Sequence, residues 1–230
     1  LVAERSAAID DNGSKNVLRV SLILLTVTGL IAMTALFFLA APIARLQGNI
    51  DLRAGYLAVA PAVLVVAVTA AFKGWFQGNM NMKPSAVSQI VEQVVKMAAG
   101  LVLAYVLMPK GLMYAVTGAL VGLTVSEIFS FITVLIMYFK NGGRIGRISK
   151  RLEFKRYADD IIKLSAPIFF SSLIFPISNF IDSLLIVNVL DNTGLSHSQS
   201  TSLYGIFTGP VNSMINMPVI VALAVAIAIV

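Results

Sequence analysis

Gln89, Glu92, Gln93 and Lys96 fall at i, i+3, i+4 and i+7. A helix would carry all four on one face, with Glu92 and Lys96 in the favourable order for an ion pair. Two chemistries fit this spacing. One is an internal salt bridge whose lysine stem snorkels toward an interface; the other is a polar stripe lining a hydrated cavity. Glu127 stands between Ser126 and Ser130 with no cation in its own apolar run. It either holds a proton or finds a partner on another helix, because an isolated carboxylate in hydrocarbon is costly. Its role is accordingly structural, or it serves a proton or a substrate.

Two more polar groups invite a chemical reading. Ser165, Ser172, Asn179 and Ser183 recur near helical spacing, with Asp182 adjoining. Asp182 and Asn179 offer the hard oxygen ligands an alkali cation prefers, although two residues fall short of a full shell; the alternative is a hydrogen-bonded structural Asp. Thr208, Asn212 and Asn216 follow at i, i+4 and i+8, spacing that suits interhelical hydrogen bonds or the lining of a polar pathway. His197 is the one histidine and Cys is absent, so no zinc cluster or His-based triad assembles convincingly. No phosphate-cradling glycine loop or HExxH occurs either. The expectation is a protein that is not an enzyme, with no cofactor and no metal beyond an alkali cation; Na+ or H+ is the coupling ion to consider.

The elements that must position these groups follow from composition. The 230 residues are 58% hydrophobic and 12% charged, with mean hydropathy +0.88, against roughly 25% charged in soluble domains. A water-soluble enzyme is excluded on those figures. The apolar residues come in runs near the ~20 that a helix needs to cross a bilayer. Six spans are expected: Val20 to Ala44, Ala54 to Phe72, a third starting near Ala86 and carrying Glu92 and Lys96, Leu112 to Tyr138, Ile162 to Val187, and a sixth from Ser202 onward. The fold class is therefore all-α, a polytopic transmembrane helix bundle. Leu1 in place of Met, and an apolar run still open at Val230, read as a piece cut from a longer protein.

Lys and Arg fix the orientation. With the first segment cytoplasmic, thirteen of the seventeen basic residues fall inside, only Arg45, Arg53 and Lys110 fall outside, and Lys96 lies within a span; this is the positive-inside pattern. It also accounts for the net charge of +6 without nucleic acid, for which no recognition motif is present. The longest polar connection, 140–160, opens on Asn141-Gly142-Gly143, a helix stop. It reads as a solvated linker between two bundles, or as an interfacial segment. In the latter case Arg144, Arg147, Lys150, Arg151, Lys155 and Arg156 would meet anionic headgroups, at ~1 kcal/mol per charge.

One stretch carries a family pattern. Lys73-Gly74-Trp75-Phe76-Gln77-Gly78 leads through Pro84-Ser85-Ala86 into Ser88-Gln89-Ile90-Val91-Glu92-Gln93. The sequence resembles the stage V sporulation protein B branch of the multidrug/oligosaccharidyl-lipid/polysaccharide exporter superfamily, which has a basic-Gly-aromatic-Phe-Gln-Gly turn, a Pro-Ser/Thr-Ala step and a Ser-Gln-x-x-Glu-Gln helix. Leu1 to Arg5 resembles the end of that family's second helix and Leu203-Tyr204-Gly205-Ile206 the opening of its eighth.

The resemblance implies a MATE-like fold of about fourteen helices in two six-helix lobes around a central cavity. Here 1–139 would be the remainder of the first lobe, 140–160 the basic cytoplasmic linker and 161–230 the start of the second lobe. It further implies a multi-pass protein of the bacterial plasma membrane that flips a lipid-linked oligosaccharide or peptidoglycan precursor by alternating access. Partners would be that lipid-linked glycan and membrane lipids. Gln89, Glu92, Gln93, Lys96, Glu127, Thr208, Asn212 and Asn216 would line the pathway, with Lys96 the deep cation, and Asp182 would stand where some lipid II flippases place a sodium ligand. Two competitors remain: a cation-coupled drug antiporter of the same superfamily, and a non-transporting scaffold for envelope assembly.

Overall fold

In a computed structural model, residues 2, 11–141, 151–212, 214 and 217 are described. Helices form throughout, and no strand occurs among the described residues. They are α1 (Asp11–Leu46), α2 (Leu52–Gly78), α3 (Lys83–Leu107), α4 (Leu112–Lys140), α5 (Arg151–Asn192) and α6 (His197–Ile206), with a 3-10 turn at Met108–Lys110 and a π turn at Phe207–Val211. Five segments among the described residues are long and apolar enough to cross a bilayer: Gly13–Leu46, Leu52–Gly78, Lys83–Lys110, Leu112–Lys140 and Phe154–Asn192. They match the first five expected spans. The sixth begins in α6, and most of its remainder lies outside the described residues.

Several helices run past the ends of the expected spans. The third helix starts at Lys83 rather than near Ala86. Pro84 sits in its first turn, where the missing N–H has no intrahelical partner to lose and the fixed φ already suits a helix. α5 starts at Arg151, inside the expected linker. Phe154, Tyr157, Ala158 and Ile161 recur at helical spacing and are buried or half-buried, so one face of 154–161 packs while Lys155, Arg156 and Asp159 stay exposed. Residues 142–150, with Arg144, Arg147 and Lys150, lie outside the described residues, as does the side chain of Arg151.

The chain divides into two compact units, Leu1–Ser165 and Ala166–Val230. In the first, α4 packs between α2 and α3, and α1 packs on α2. Phe72 and Phe76 of α2 and Val134 and Tyr138 of α4 close on Leu18 of α1 at the end that the charge count assigns to the cytoplasm. The Tyr138 ring meets those of Phe72 and Trp75 edge-on, each at 5.2 Å between centroids, a favoured aromatic geometry. Trp75 Nε1 donates to Ser14 Oγ of α1 at 3.0 Å. Thr124 of α4 donates to the Ala58 carbonyl of α2 at 2.6 Å, one of the interhelical hydrogen bonds that substitute for water inside a bilayer.

Between α3 and α4 the backbones almost touch. A Cβ at Gly118 would lie 2.8 Å from the Leu103 carbonyl oxygen, and one at Gly122 would lie 2.5 Å from Gly100 Cα. Without a hydrophobic drive between helices in lipid, small residues at such a seam supply the attraction through close packing. A short turn at Asn79–Asn81 joins α2 to α3, with Met80 in the left-handed region at φ 56 and Asn81 N–H returning to the Phe76 carbonyl at 2.9 Å. The outer faces are apolar: Phe38 is 75% exposed and Tyr105 82%. That surface suits hydrocarbon as its solvent.

In the second unit, α6 opens on Ser196, whose side chain and that of Gln199 form a reciprocal capping box. Tyr204 of α6 donates to the Asn179 carbonyl of α5 at 3.4 Å. Pro167 and Pro176 lie inside α5, as transmembrane helices tolerate when neighbouring groups re-satisfy the backbone.

Candidate functional site

Because α4 lies between α2 and α3, while α2 and α3 touch each other little, the three helices make a groove with α4 as its floor. Four ionisable side chains meet there. Glu92 of α3 receives Lys96 Nζ at 3.3 Å from one turn further along the same helix and Lys73 Nζ of α2 at 3.5 Å. Ser130 of α4 donates to Glu92 Oε2 at 3.2 Å. Glu127, one turn before Ser130 on α4, lies within electrostatic range of Glu92, Lys96 and Lys73. Each helix thus contributes at least one group, and the ammonium groups and the hydroxyl converge on the two oxygens of Glu92.

Depth follows from helix rise. At ~1.5 Å per residue, Glu92 stands about 14 Å along α3 from Lys83, and Glu127 about 20 Å along α4 from Lys140. Both helix ends lie on the same side of the bundle, so the cluster sits well inside the span. Lys73 starts nearer that end of α2 and reaches inward. The side chains of Lys73, Glu92 and Lys96 keep 19%, 13% and 33% of their exposure. That is too much for a sealed ion pair. A charged group at this depth and exposure requires water or further protein beside it.

The structure therefore brings Glu92, Lys96 and Glu127 together and adds Lys73 and Ser130. The sequence reading had Lys96 as the single deep cation; Lys73 is a second one that reaches the same carboxylate. It escaped because nineteen residues and a turn separate it from Glu92, and periodicity within one helix carries no signal across two. Its one hint was its place at the head of the 73–78 motif. Gln89 and Gln93 are exposed on α3 and take no part in these contacts. The 73–93 motif is organised locally as well: Gln77 Nε2 lies 3.5 Å from Ser85 Oγ across the α2–α3 turn, and Ser85 and Ser88 are buried.

The polar residues of the second unit make a sparser arrangement. Asp182 and Asn179 are exposed one turn apart on α5, and among the described residues no group of three His, Cys, Asp or Glu gathers anywhere. Thr208 returns its hydroxyl to the Tyr204 carbonyl of its own helix at 2.8 Å. Asn212 is exposed, and Asn216 lies outside the described residues. In the first unit, Lys155 and Arg156 are exposed in the first turns of α5. His197 pairs through Nδ1 with Asp191 Oδ2 at 2.8 Å while staying exposed; the turn between α5 and α6 folds the two together.

Comparison with known proteins bears on this site. A family model described as polysaccharide biosynthesis protein matches residues 5–230. Stage V sporulation protein B of Bacillus subtilis (strain 168) is 30% identical over 237 residues, covering 100% of this chain and 45% of that protein. Lipid II flippase MurJ of the same organism is 26% identical over 246 residues, covering 97% and 44%. The uncharacterized membrane protein YabM is 28% identical over 211 residues, covering 88% and 39%. The chain spans less than half the length of these relatives. No solved structure matches it significantly.

Proposed function

This chain belongs to the polysaccharide biosynthesis protein family and is a multi-pass bacterial membrane protein, and from that premise we propose that it serves to flip a lipid-linked oligosaccharide or peptidoglycan precursor across the plasma membrane by alternating access. The observation that carries the reading is the pair of ammonium groups, Lys73 and Lys96, held over one carboxylate in a groove open enough to admit water. Such a substrate presents phosphates, and cationic donors inside the span are what those phosphates need when they leave water. Glu92 keeps the two lysines positioned and partly neutralised when no substrate is engaged. The apolar outer faces leave the lipid tail in hydrocarbon, so only the polar head has to enter the groove.

The two lysines offer phosphates cationic donors that an organic cation would not use, which favours the glycan reading over the drug antiporter. Lys155 and Arg156, exposed where α5 begins, suit contact with anionic headgroups. Asp182 with Asn179 is the reading for an alkali-cation site; other oxygens would have to complete it.

The test is reconstitution of the full-length protein in vesicles with fluorescent lipid-linked glycans and a measure of their passage between leaflets. Lys73→Ala combined with Lys96→Ala should slow passage at least tenfold, while Lys110→Ala, at the opposite end of α3, should not. Failure of the unaltered protein to move any lipid-linked glycan would end the proposal.

A further inference from the structure

At the end opposite the aromatic cluster, the first turns of α2 and α4 part to leave a cleft of about 250 Å³, walled by Val59 of α2 and by Met113, Val116 and Leu120 of α4. From Asp51 to Val59 it runs about 12 Å along α2, most of the ~15 Å that the hydrocarbon of one leaflet occupies. Its inner end is closed where Thr124 donates to the Ala58 carbonyl at 2.6 Å. On α4 the cleft stops at Leu120, about two turns short of Glu127, so it is separate from the charged groove.

The polar groups inside the cleft are already served. Tyr56 donates its hydroxyl to Gln47 Oε1, and Thr117 donates to the Met113 carbonyl at 2.8 Å. What is left for an occupant is apolar wall. Water finds too few partners there, and in a bilayer the acyl chains of lipids fill such a space by close packing.

The mouth has a different chemistry. A second cavity of about 380 Å³ adjoins the cleft through Asp51, Met113 and Thr117, and Arg53 and Tyr114 line it as well. Asp51 and Arg53 are exposed, and among the described residues neither enters an ion pair. The positive-inside count puts this end at the outer surface, where a tyrosine ring such as that of Tyr114 suits the headgroup level.

We propose that the cleft and its mouth hold one phospholipid of the outer leaflet with a zwitterionic, primary-amine headgroup of the phosphoethanolamine class. One acyl chain occupies the space between α2 and α4, the phosphate meets the Arg53 guanidinium, and the ammonium donates to the Asp51 carboxylate. Other headgroups leave a charge unanswered. Phosphoglycerol gives Asp51 no cation, and a diphosphate sets still more negative charge beside it. A quaternary ammonium has no N–H to donate. This binding does not require transport through the charged groove.

The experiment is photolabelling of the full-length protein in nanodiscs of phosphatidylcholine. The probe is a trace of phosphatidylethanolamine carrying a diazirine on one acyl chain, and mass spectrometry maps the labelled peptides. Labels are expected both within 52–59 and within 113–120. Exchanging part of the background for unlabelled phosphatidylethanolamine should lower them about threefold further than the same exchange for phosphatidylglycerol, the scale of exposed ion pairs. Asp51→Asn with Arg53→Gln should keep the labels and lose that preference. Val116→Trp, which fills the cleft from its exposed rim, should remove them, while labels around the exposed Tyr105 of α3 persist and report an intact fold. Absence of label from either segment of the unaltered protein overturns the proposal. Equal competition by the two lipids also overturns it, as does a preference that survives the double substitution or labelling undiminished in Val116→Trp. The first two of these results come from the unaltered protein, so a folding defect in a variant cannot rescue the proposal.

Discussion

Gly122 of α4 stands so close to Gly100 of α3 that a Cβ on it would lie 2.5 Å from the Gly100 Cα. Only backbone is in the way, so nothing flexible can yield. Glu92 lies on α3 two turns before Gly100, and Glu127 and Ser130 follow Gly122 on α4. The seam is therefore what brings the polar groups of the two helices within reach.

Gly122→Val should force α3 and α4 apart and destabilise the bundle by about 1–3 kcal/mol, the usual cost of overpacking a tight interface. Thermal unfolding in detergent reads the loss as a lower midpoint. Retention of the wild-type midpoint would mean that the helices do not approach as closely as described.

Lys73 and Lys96 meet the same carboxylate, so their contributions should not add. Each single lysine-to-alanine change is expected to cost at most about 1 kcal/mol of stability, since both pairs are partly exposed. A double-mutant cycle against Glu92→Gln should show coupling for each lysine. Strict additivity would place the side chains apart.

Asp182→Asn should weaken any sodium dependence of transport in the reconstituted full-length protein while leaving sodium-independent passage in place. If sodium dependence is present and the variant retains it unchanged, Asp182 is not a ligand, and Asn179 loses its proposed part with it.

This chain contains no cysteine, which makes topology directly testable by single-cysteine labelling in a cysteine-free background. Lys155→Cys is expected to react only with reagents that reach the cytoplasm, and Asp51→Cys with reagents applied from outside. Labelling of position 155 from the exterior would reverse the orientation.

The spans were legible because bilayer thickness sets a length and hydrocarbon excludes charge, and both leave marks in one dimension. The Glu92–Lys96 pair was legible for a similar reason: four residues along one helix is a fixed geometry. What lay beyond reach depends on which helices are neighbours. Lys73 was counted as an inside-positive residue because its helix ends nearby, and nothing in the order of residues indicates that α2 and α3 flank the same face of α4. The hydrogen bond from Thr124 to the Ala58 carbonyl is hidden for the same reason. The Asp191–His197 pair was missed on a smaller scale, since a turn of unknown shape separates them. The start of α5 at Arg151 was masked by charge density, although Phe154, Tyr157, Ala158 and Ile161 already carried the helical period.

The single tryptophan of this chain is hydrogen-bonded from α2 to Ser14 of α1 and stacked edge-on against Tyr138 of α4. Its indole therefore touches three helices at once, and its fluorescence is a built-in gauge of their separation. Any stroke that pulls the start of α1 away would rupture the indole bond, admit solvent and shift the emission to longer wavelength. The working cycle could then be followed in real time by light, without attaching a dye.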